Sequence, residues 1–376
     1  MKIALVTNNY RPYSGGVVSA IDTLSSSLVQ LGHQVQIITL DFEGLGSNYD
    51  GLVPVVRLVC PIRFKYKTNH IAVPWLPDQA VLNLLTYFKP DIIHTHHPFL
   101  LGISALKAGQ KLDLPVVFTY HSQYEKFAHL VPIPQIISAC VIRQKALAYC
   151  NRVSGIIAPS KTISQNLLNL GCNSPIIVIP SAISPIYLDM QFNYKLRQKT
   201  FKLLTVSRFA KEKNLIFLLD MFKKLLDFSP DFSLTLVGYG PELATLKHHA
   251  YHVLGLSQEQ VVFVERPDKL KIKQLYQQSD LFVFASQAET QGLVLAEAMA
   301  CGTPVVALVG AGQDDVVVNR ENGFLVADLP QMVQAILEIS NNSVLHEKMQ
   351  QNAYQTGQYY NPTMLAQDQI EFYKHF

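Results

Sequence analysis

"KIALVTNNYRPYSGGVVSAIDTLSSSLVQLGHQVQIITL", Lys2 to Leu40, decides the fold. A short apolar run, Ile3 to Thr7, gives way to a polar loop that closes on Gly15-Gly16. Apolar residues then recur at Val18, Ile21, Leu24, Leu28 and Leu31, the spacing of one helical face. A second apolar run, Val35 to Leu40, completes a strand–helix–strand unit, the repeating piece of a parallel, doubly wound sheet. Further β-branched runs follow at "VPVVRLV", "DIIHTH", "LPVVFTYH", "GIIAPS" and "PIIVIPS". Their near-continuous apolar character is that of strands covered on both faces.

Residues 185–200 lose this periodicity and collect Tyr, Asn, Lys and Arg, which reads as a linker. "FKLLTVSRFAKEKNLIFLLDMFKKLL", Phe201 to Leu226, then restarts the strand, loop and helix pattern, and strands recur at "FSLTLVG", "VVFVE", "LFVFAS" and "TPVVALV". The expectation is an α/β domain over residues 1–190 and a second over 200–355, facing each other across a cleft. The tail "MLAQDQIEFYKHF", within 356–376, is expected to be a helix packing back on the first domain.

With 376 residues, 49% hydrophobic and 16% charged, the chain has material for two ordinary cores and little disorder. Five scattered cysteines, none in a C-x-x-C pair, match a reducing compartment and neither a disulfide framework nor a zinc knuckle. The start "MKIALVTNNY" turns polar at Thr7, so no signal peptide is expected, and no apolar run reaches the ~18 residues of a membrane span. The net charge of +3 conceals an asymmetry: residues 1–200 carry 17 Lys and Arg against 9 Asp and Glu, the remainder 14 against 19. The basic half is either solvated surface or a face for phosphate or an anionic membrane.

In open parallel sheets, ligands bind beyond the carboxyl ends of the strands. The candidates there are Arg208 and Lys213 after "LLTVS", the "GYGPE" loop, Glu265 and Arg266, and the stretch "AETQGLVLAE", Ala288 to Glu297. Two cations and a helix start on one rim suit a diphosphate, although either cation alone also reads as a surface charge. "GYGPE" lacks the third glycine and the downstream acid of a dinucleotide fingerprint; a tight turn into a helix started by Pro241 explains it. "HTHH", His94 to His97, and the His248/His252 pair lack the Cys or carboxylate neighbours of a zinc site. His121, at a strand's carboxyl end, reads equally as a donor to substrate oxygens or as a structural imidazole. Glu289 has two readings as well. Ser286-x-x-Glu289 is a capping box, which would make Glu289 structural; with Thr290 as the N-cap, Glu289 stands outside the helix beside the cleft and Glu297 lies on the second turn. Carboxylates able to grip hydroxyls at both ends and cations in the middle describe a site for a sugar nucleotide.

These residues resemble a known family. "SQAETQGLVLAEAMACGTPVVA" looks like the E-x7-E motif of retaining GT-B glycosyltransferases in CAZy family four. "SGGV", "TYHS", "SRFAKEKN", "GYGPE" and "ENGFLV" accompany it in order over nearly the whole chain. The resemblance implies a GT-B fold of two Rossmann-like domains. It implies that Glu289 contacts the donor-sugar hydroxyls, Glu297 the ribose, and Arg208 and Lys213 the diphosphate, helped by backbone near Gly292 and Leu293 and by the Gly15-Gly16 loop. It places His121 at the sugar near its reacting end. It further implies retention by front-face attack with no metal and no cofactor beyond the nucleotide-sugar co-substrate. Tyr239 and Glu265 depart from the commoner residues of the family, so no base-specific side chain is carried over.

Within the family, "ETQG" and "VVFTYHSQYEKFAHLVP" are similar to bacterial 1,2-diacylglycerol glucosyltransferases. The expectation is a hexose transfer, glucose from UDP-glucose, to a lipid hydroxyl such as diacylglycerol. Mannosyl or other hexosyl transfer to a soluble or polyisoprenoid-linked glycan is the alternative, and a non-catalytic nucleotide-sugar-binding module a third reading. The segment "RLVCPIRFKYKTNH" offers Arg57, Arg63, Lys65 and Lys67, interleaved with Phe64 and Tyr66, to an anionic membrane. "PIPQIISACVIRQKALAYC" reads as a core helix or an amphipathic one. The expected location is cytoplasmic, peripheral to the inner face of the membrane, with no nucleic-acid partner.

Overall fold

The computed structural model describes residues 1–12, 15–42, 44, 46, 48–50, 53–66, 69–126, 135–194, 199–286, 289–310 and 312–376, excluding the side chains of 49–50, 65–66, 69–71 and 135–136. The chain divides into two compact units: Met1–Ala182 with Pro362–Phe376, and Ile183–Asn361.

The first unit runs β1 (Lys2–Val6), α1 (Gly16–Gln30), β2 (Gln34–Leu40), β3 (Asn48–Asp50), β4 (Val53–Leu58), β5 (Ile62–Tyr66), β6 (Asn69–Val73), α2 (Pro77–Phe88), β7 (Ile92–Thr95), α3 (Leu101–Leu112), β8 (Val116–Thr119), α4 (Gln135–Cys150), β9 (Gly155–Ala158), α5 (Lys161–Asn169) and β10 (Ile176–Val178). Its sheet has the order β10-β9-β8-β7-β1-β2-β4-β3, parallel except for β3. Alternate residues of β1 enter different cores. Ala4 and Val6 join Ile93, Phe118, Leu101 and Leu106 on one face; Ile3 and Leu5 join Ile21, Leu28, Ile370 and Tyr373 on the other. Each fully buried large aliphatic side chain contributes roughly 1.5–3 kcal/mol, so the near-continuous apolar runs read from the sequence stabilise a core on each face of the sheet. β5 and β6 form a separate antiparallel hairpin.

The second unit runs α6 (Pro185–Leu188), β11 (Phe201–Val206), α7 (Leu215–Leu226), β12 (Phe232–Gly238), α8 (Leu243–His248), β13 (Val261–Glu265), α9 (Lys269–Gln278), β14 (Leu281–Phe284), α10 (Leu293–Ala300), β15 (Val305–Leu308), β16 (Gly323–Val326), α11 (Leu329–Asn341) and α12 (Ser343–Gln358). Its sheet is parallel in the order β13-β12-β11-β14-β15-β16. Leu203, Leu234, Leu281 and Val306 face α7 and α11, while Leu204, Val237, Phe282 and Val305 face α10. Asp268, Asp328 and Asn342 cap α9, α11 and α12 with side-chain oxygens, fixing where those helices begin.

The last helix, α13 (Pro362–Tyr373), belongs to the first unit, packs on α1 and buries Leu365, Ile370, Phe372 and Tyr373. Two expected boundaries move. The first unit ends at Ala182, ahead of the expected 190, because Ile183 and Tyr187 are buried in the second unit's core and Ile183 N donates to Tyr360 O at 3.2 Å. The stretch from Pro185 is therefore not purely a linker: its first turn is α6, docked on α9 and α10. Likewise α12 runs to Gln358, so the returning segment starts at Pro362 instead of 356.

Candidate active site

Both sheets reverse their strand order once. In the second unit the chain steps outward from β11 to β12 and β13, then returns to the other side with β14, β15 and β16. The loops after β11 and β14 therefore leave in opposite directions, opening the crevice in which doubly wound sheets take ligands. Arg208 and Lys213 lie on the first of these loops, Glu289 on the second.

The structure joins Lys213 to Glu289 across the two loops, while Arg208 pairs within its own loop. Lys213 Nζ forms an ion pair with Glu289 Oε1, with side chains 21% and 17% exposed. Arg208 Nη2 is 3.1 Å from Glu212 Oε1 and about half exposed. The loop is held by backbone: Phe209 N donates to Tyr239 O at 2.7 Å, and Lys213 N to Ala210 O at 3.0 Å. On the other side, Gln313 Nε2 donates to Ser286 O at 2.7 Å. Gly312 lies so close that a Cβ there would meet Gln291 N at 2.6 Å and Glu289 Cβ at 2.8 Å. The loop after β15 thus presses Glu289 into place, and only glycine permits the approach.

Neither capping reading of this stretch survives. α10 starts at Leu293, with Gly292 as its N-cap and no side-chain capping bond. Gly292 adopts φ 74, a left-handed conformation that glycine takes without strain. Ser286 Oγ instead donates to Glu212 O at 3.4 Å. Glu289 is therefore outside the helix, and no acid occupies the first turn of α10 beside its unsatisfied N–H groups. Glu297 is on the second turn, where Tyr276 Oη donates to its Oε2 at 3.2 Å. Desolvation raises its carboxyl from the ordinary 4.5 to about 7, against the opposing pull of Tyr276 and Lys269. Sequence reading missed Tyr276 and Gln313. Only their place, on a helix and a loop adjoining the E-x7-E stretch, could have flagged them.

In the first unit the reversal falls between β1 and β7. Gly15 and Gly16 open α1 after β1, and α1 has no side-chain cap and no acid in its first turn. His121 follows β8, and its Nε2 is 2.8 Å from His96 Nδ1. Burial, with further repulsion from His97 and His94, lowers His121 to about 3. His94 is also lowered to about 3 and His97 to about 4, both by burial. "HTHH" is thus a set of neutral imidazoles held by neighbours: His94 by Thr119 and Tyr373, His97 by Thr7 and Asn8. Among the described residues no group of three or more His, Cys, Asp or Glu side chains gathers as a metal site.

Of the cationic surface expected at residues 57–67, Arg57 is corrected. Arg57 is 8% exposed and spends its guanidinium on Gly46 O, Asn48 Oδ1 and Arg11 O, so it ties loops together rather than facing a membrane. Arg63 is a third exposed and 3.6 Å from Asp41. Lys67, and the side chain of Lys65, lie outside the described residues. Among the described residues this region also exposes apolar side chains. Ile62 and Val73 pair across the β5–β6 hairpin, and with Phe64 they share one face; beside them Val59 and Trp75 are 71% and 72% exposed. A groove of about 690 Å³ adjoins, lined by Val56, Leu58, Val59, Trp75, Ala80 and Leu84 among others.

Two doubly wound α/β units with parallel sheets are the architecture of the GT-B class of sugar-transferring enzymes. Residues 14–185 match the family "Glycosyltransferase Family 4" and residues 189–356 match "Glycosyl transferases group 1". The chain is a nucleotide-sugar-dependent GT-B glycosyltransferase, similar to those of family four. It is 29% identical over 366 residues to the alpha-monoglucosyldiacylglycerol synthase of Streptococcus pneumoniae, covering 93% of this chain and 82% of that one. The alpha-monoglucosyldiacylglycerol synthase of Acholeplasma laidlawii is 25% identical over 377 residues, covering 94% and 92%. The fold matches Anabaena HepE, solved in complex with UDP-glucose, at a TM-score of 0.78 and 19% identity over all of both chains. No helix among the described residues is long and apolar enough to cross a membrane.

The raised Glu297 carboxyl has a stability consequence. Between pH 4.5 and about 7 the folded chain keeps a proton that the unfolded chain has lost, so ionisation penalises the fold as pH rises through that window. Glu297→Gln is expected to raise the melting temperature relative to the parent increasingly from pH 4.5 to 7 and by a constant amount above. Scanning calorimetry across that range checks this; a difference that does not change with pH contradicts the desolvated placement.

Proposed function

We propose that the protein is a retaining, metal-independent hexosyltransferase that moves glucose from UDP-glucose to a lipid hydroxyl such as that of diacylglycerol. The observation that carries the reading is the Lys213–Glu289 pair at the strand reversal. It sets a cation for phosphate beside a carboxylate for sugar hydroxyls, at the edge of an uncapped helix. Lys213 and Arg208 neutralise the diphosphate, with the N–H groups at Leu293 and the turn at Gly292 adding donors. Glu289 accepts from the sugar hydroxyls and Glu297 from the ribose diol. His121 and the Gly15-Gly16 turn serve the donor from the first unit.

The bond from the anomeric carbon to the diphosphate oxygen breaks as the bond to the acceptor oxygen forms on the same face. The acceptor's proton passes to the departing phosphate oxygen, so no covalent enzyme intermediate is needed. Charge accumulates on the leaving diphosphate, and Arg208 and Lys213 stabilise it there. Glucose and diacylglycerol are supported by the two synthases to which the chain is similar, and UDP-glucose by the HepE complex. The exposed hairpin face, Trp75 and the adjoining groove support a lipid acceptor drawn from a membrane surface. With Arg57 buried and Arg63 beside Asp41, the sequence still offers Lys65 and Lys67 on this segment, with no Asp or Glu in residues 53–76, and two such lysines favour an anionic leaflet. Lipid docking in this form relies on apolar contact more than on charge.

A panel of UDP- and GDP-sugars is expected to show hydrolysis or transfer with UDP-glucose above the rest. Arg208→Ala and Glu289→Gln should each lower turnover about 100-fold or more; turnover within a few-fold of the parent contradicts the assignment. Trp75 is the only tryptophan, so its emission reports its surroundings directly. Anionic phosphatidylglycerol vesicles should shift it to the blue, and Phe64→Asp should reduce the shift. An unchanged spectrum at saturating lipid places the membrane contact elsewhere.

A further inference from the structure

His121 has a neighbour that the transfer reaction does not use. His96 follows β7, is 2% exposed, and has its backbone fixed by a bond from its N–H to Val6 O at 2.9 Å. Its Nδ1 lies 2.8 Å from His121 Nε2, with the rings stacked at 24° and 5.1 Å between centroids. On the other side it lies against His94, 4.3 Å away between centroids. His94 is itself pinned by Thr119 Oγ1 and Tyr373 Oη, each at 2.6 Å. The orientation of His96 is thus set from both sides, on one of them by the returning helix α13.

Burial disfavours protonation of both His96 and His121, so each ring is neutral and carries one proton. Two arrangements are then possible. If His121 Nε2–H donates to His96 Nδ1, the proton of His96 stands on its Nε2, which is buried and has no hydrogen-bond partner. If His96 Nδ1–H donates to His121 Nε2, the unpartnered atom is only a lone pair. Unpaired buried N–H groups are the rarer and costlier case. The second arrangement also requires the proton of His121 to stand on its Nδ1.

We infer that His96 is a positioning residue that holds His121 as the Nδ1–H tautomer, leaving Nδ1 as the nitrogen that donates to a sugar oxygen. The inference rests on the reading above for the role of His121; the tautomer itself does not. A ring with the opposite tautomer would present a lone pair at Nδ1 to an oxygen acceptor and repel it.

Long-range proton–nitrogen correlation on histidine-labelled protein without donor reads the tautomer directly. The parent should show His121 protonated at Nδ1 and bare at Nε2. His96→Phe keeps a ring in the stack but no donor, and should move His121 toward the Nε2–H form. That variant should also lower kcat with UDP-glucose about ten-fold with little change in donor KM, as loss of one hydrogen bond allows. His96→Asn, whose amide can stand where Nδ1–H stood, should restore the Nδ1–H pattern and most of kcat. An Nε2–H pattern in the parent, or an unchanged pattern in His96→Phe, overturns the proposal. Full turnover by His121→Ala would instead overturn the role given to His121 and leave the tautomer result standing.

Discussion

The reversal of strand order between β11 and β14 is the constraint on which the rest depends. A parallel sheet covered by helices on both faces has no room for charge within it, so polar chemistry collects at the strand ends. Where neighbouring strands send their loops apart, those ends become a crevice. Lys213 and Glu289 come from loops 76 residues apart in sequence and meet there. Their supports follow from the same geometry: Gly312 because the β15 loop must press close, Gly292 because the turn into α10 needs a left-handed residue, and Gln313 because the Ser286 carbonyl would otherwise lack that partner.

The two units supply opposite electrostatics. The second offers a lysine, an arginine, two carboxylates and an uncapped helix start. The first offers imidazoles that burial keeps neutral. A leaving diphosphate needs charge to stabilise it, whereas a sugar hydroxyl needs donors that do not add charge beside a developing oxocarbenium centre.

The fold was legible because its strands are short, buried on both faces and β-branched, so their runs in the sequence are hardly interrupted. The nature of the enzyme was legible because the E-x7-E stretch and its accompanying motifs resemble one family in order along the chain; Arg208, half exposed and paired with Glu212, would not stand out by its surroundings. The misreadings have local causes. Ser286-x-x-Glu289 has the composition of a capping box, but Gly292 starts the helix later, and composition does not report φ. Arg57 resembles its surface neighbours until tertiary contacts give it three backbone and side-chain acceptors. The apolar side of the β5–β6 hairpin was not legible because Ile62, Phe64 and Val73, exposed in the structure, are interleaved in sequence with Arg and Lys. His96 was invisible as a partner because its contact with His121 joins two strand ends 25 residues apart.

The central claim is that Lys213 and Glu289 form one donor-binding unit, and calorimetric titration of UDP-glucose into Lys213→Ala, Glu289→Gln and the double variant tests it most directly. Each single change should weaken binding about ten-fold or more, and the double change should weaken it by less than the product of the two, since each partner holds the other in place. Single variants that bind within about two-fold of the parent, or losses that multiply as though the sites were independent, would contradict the account.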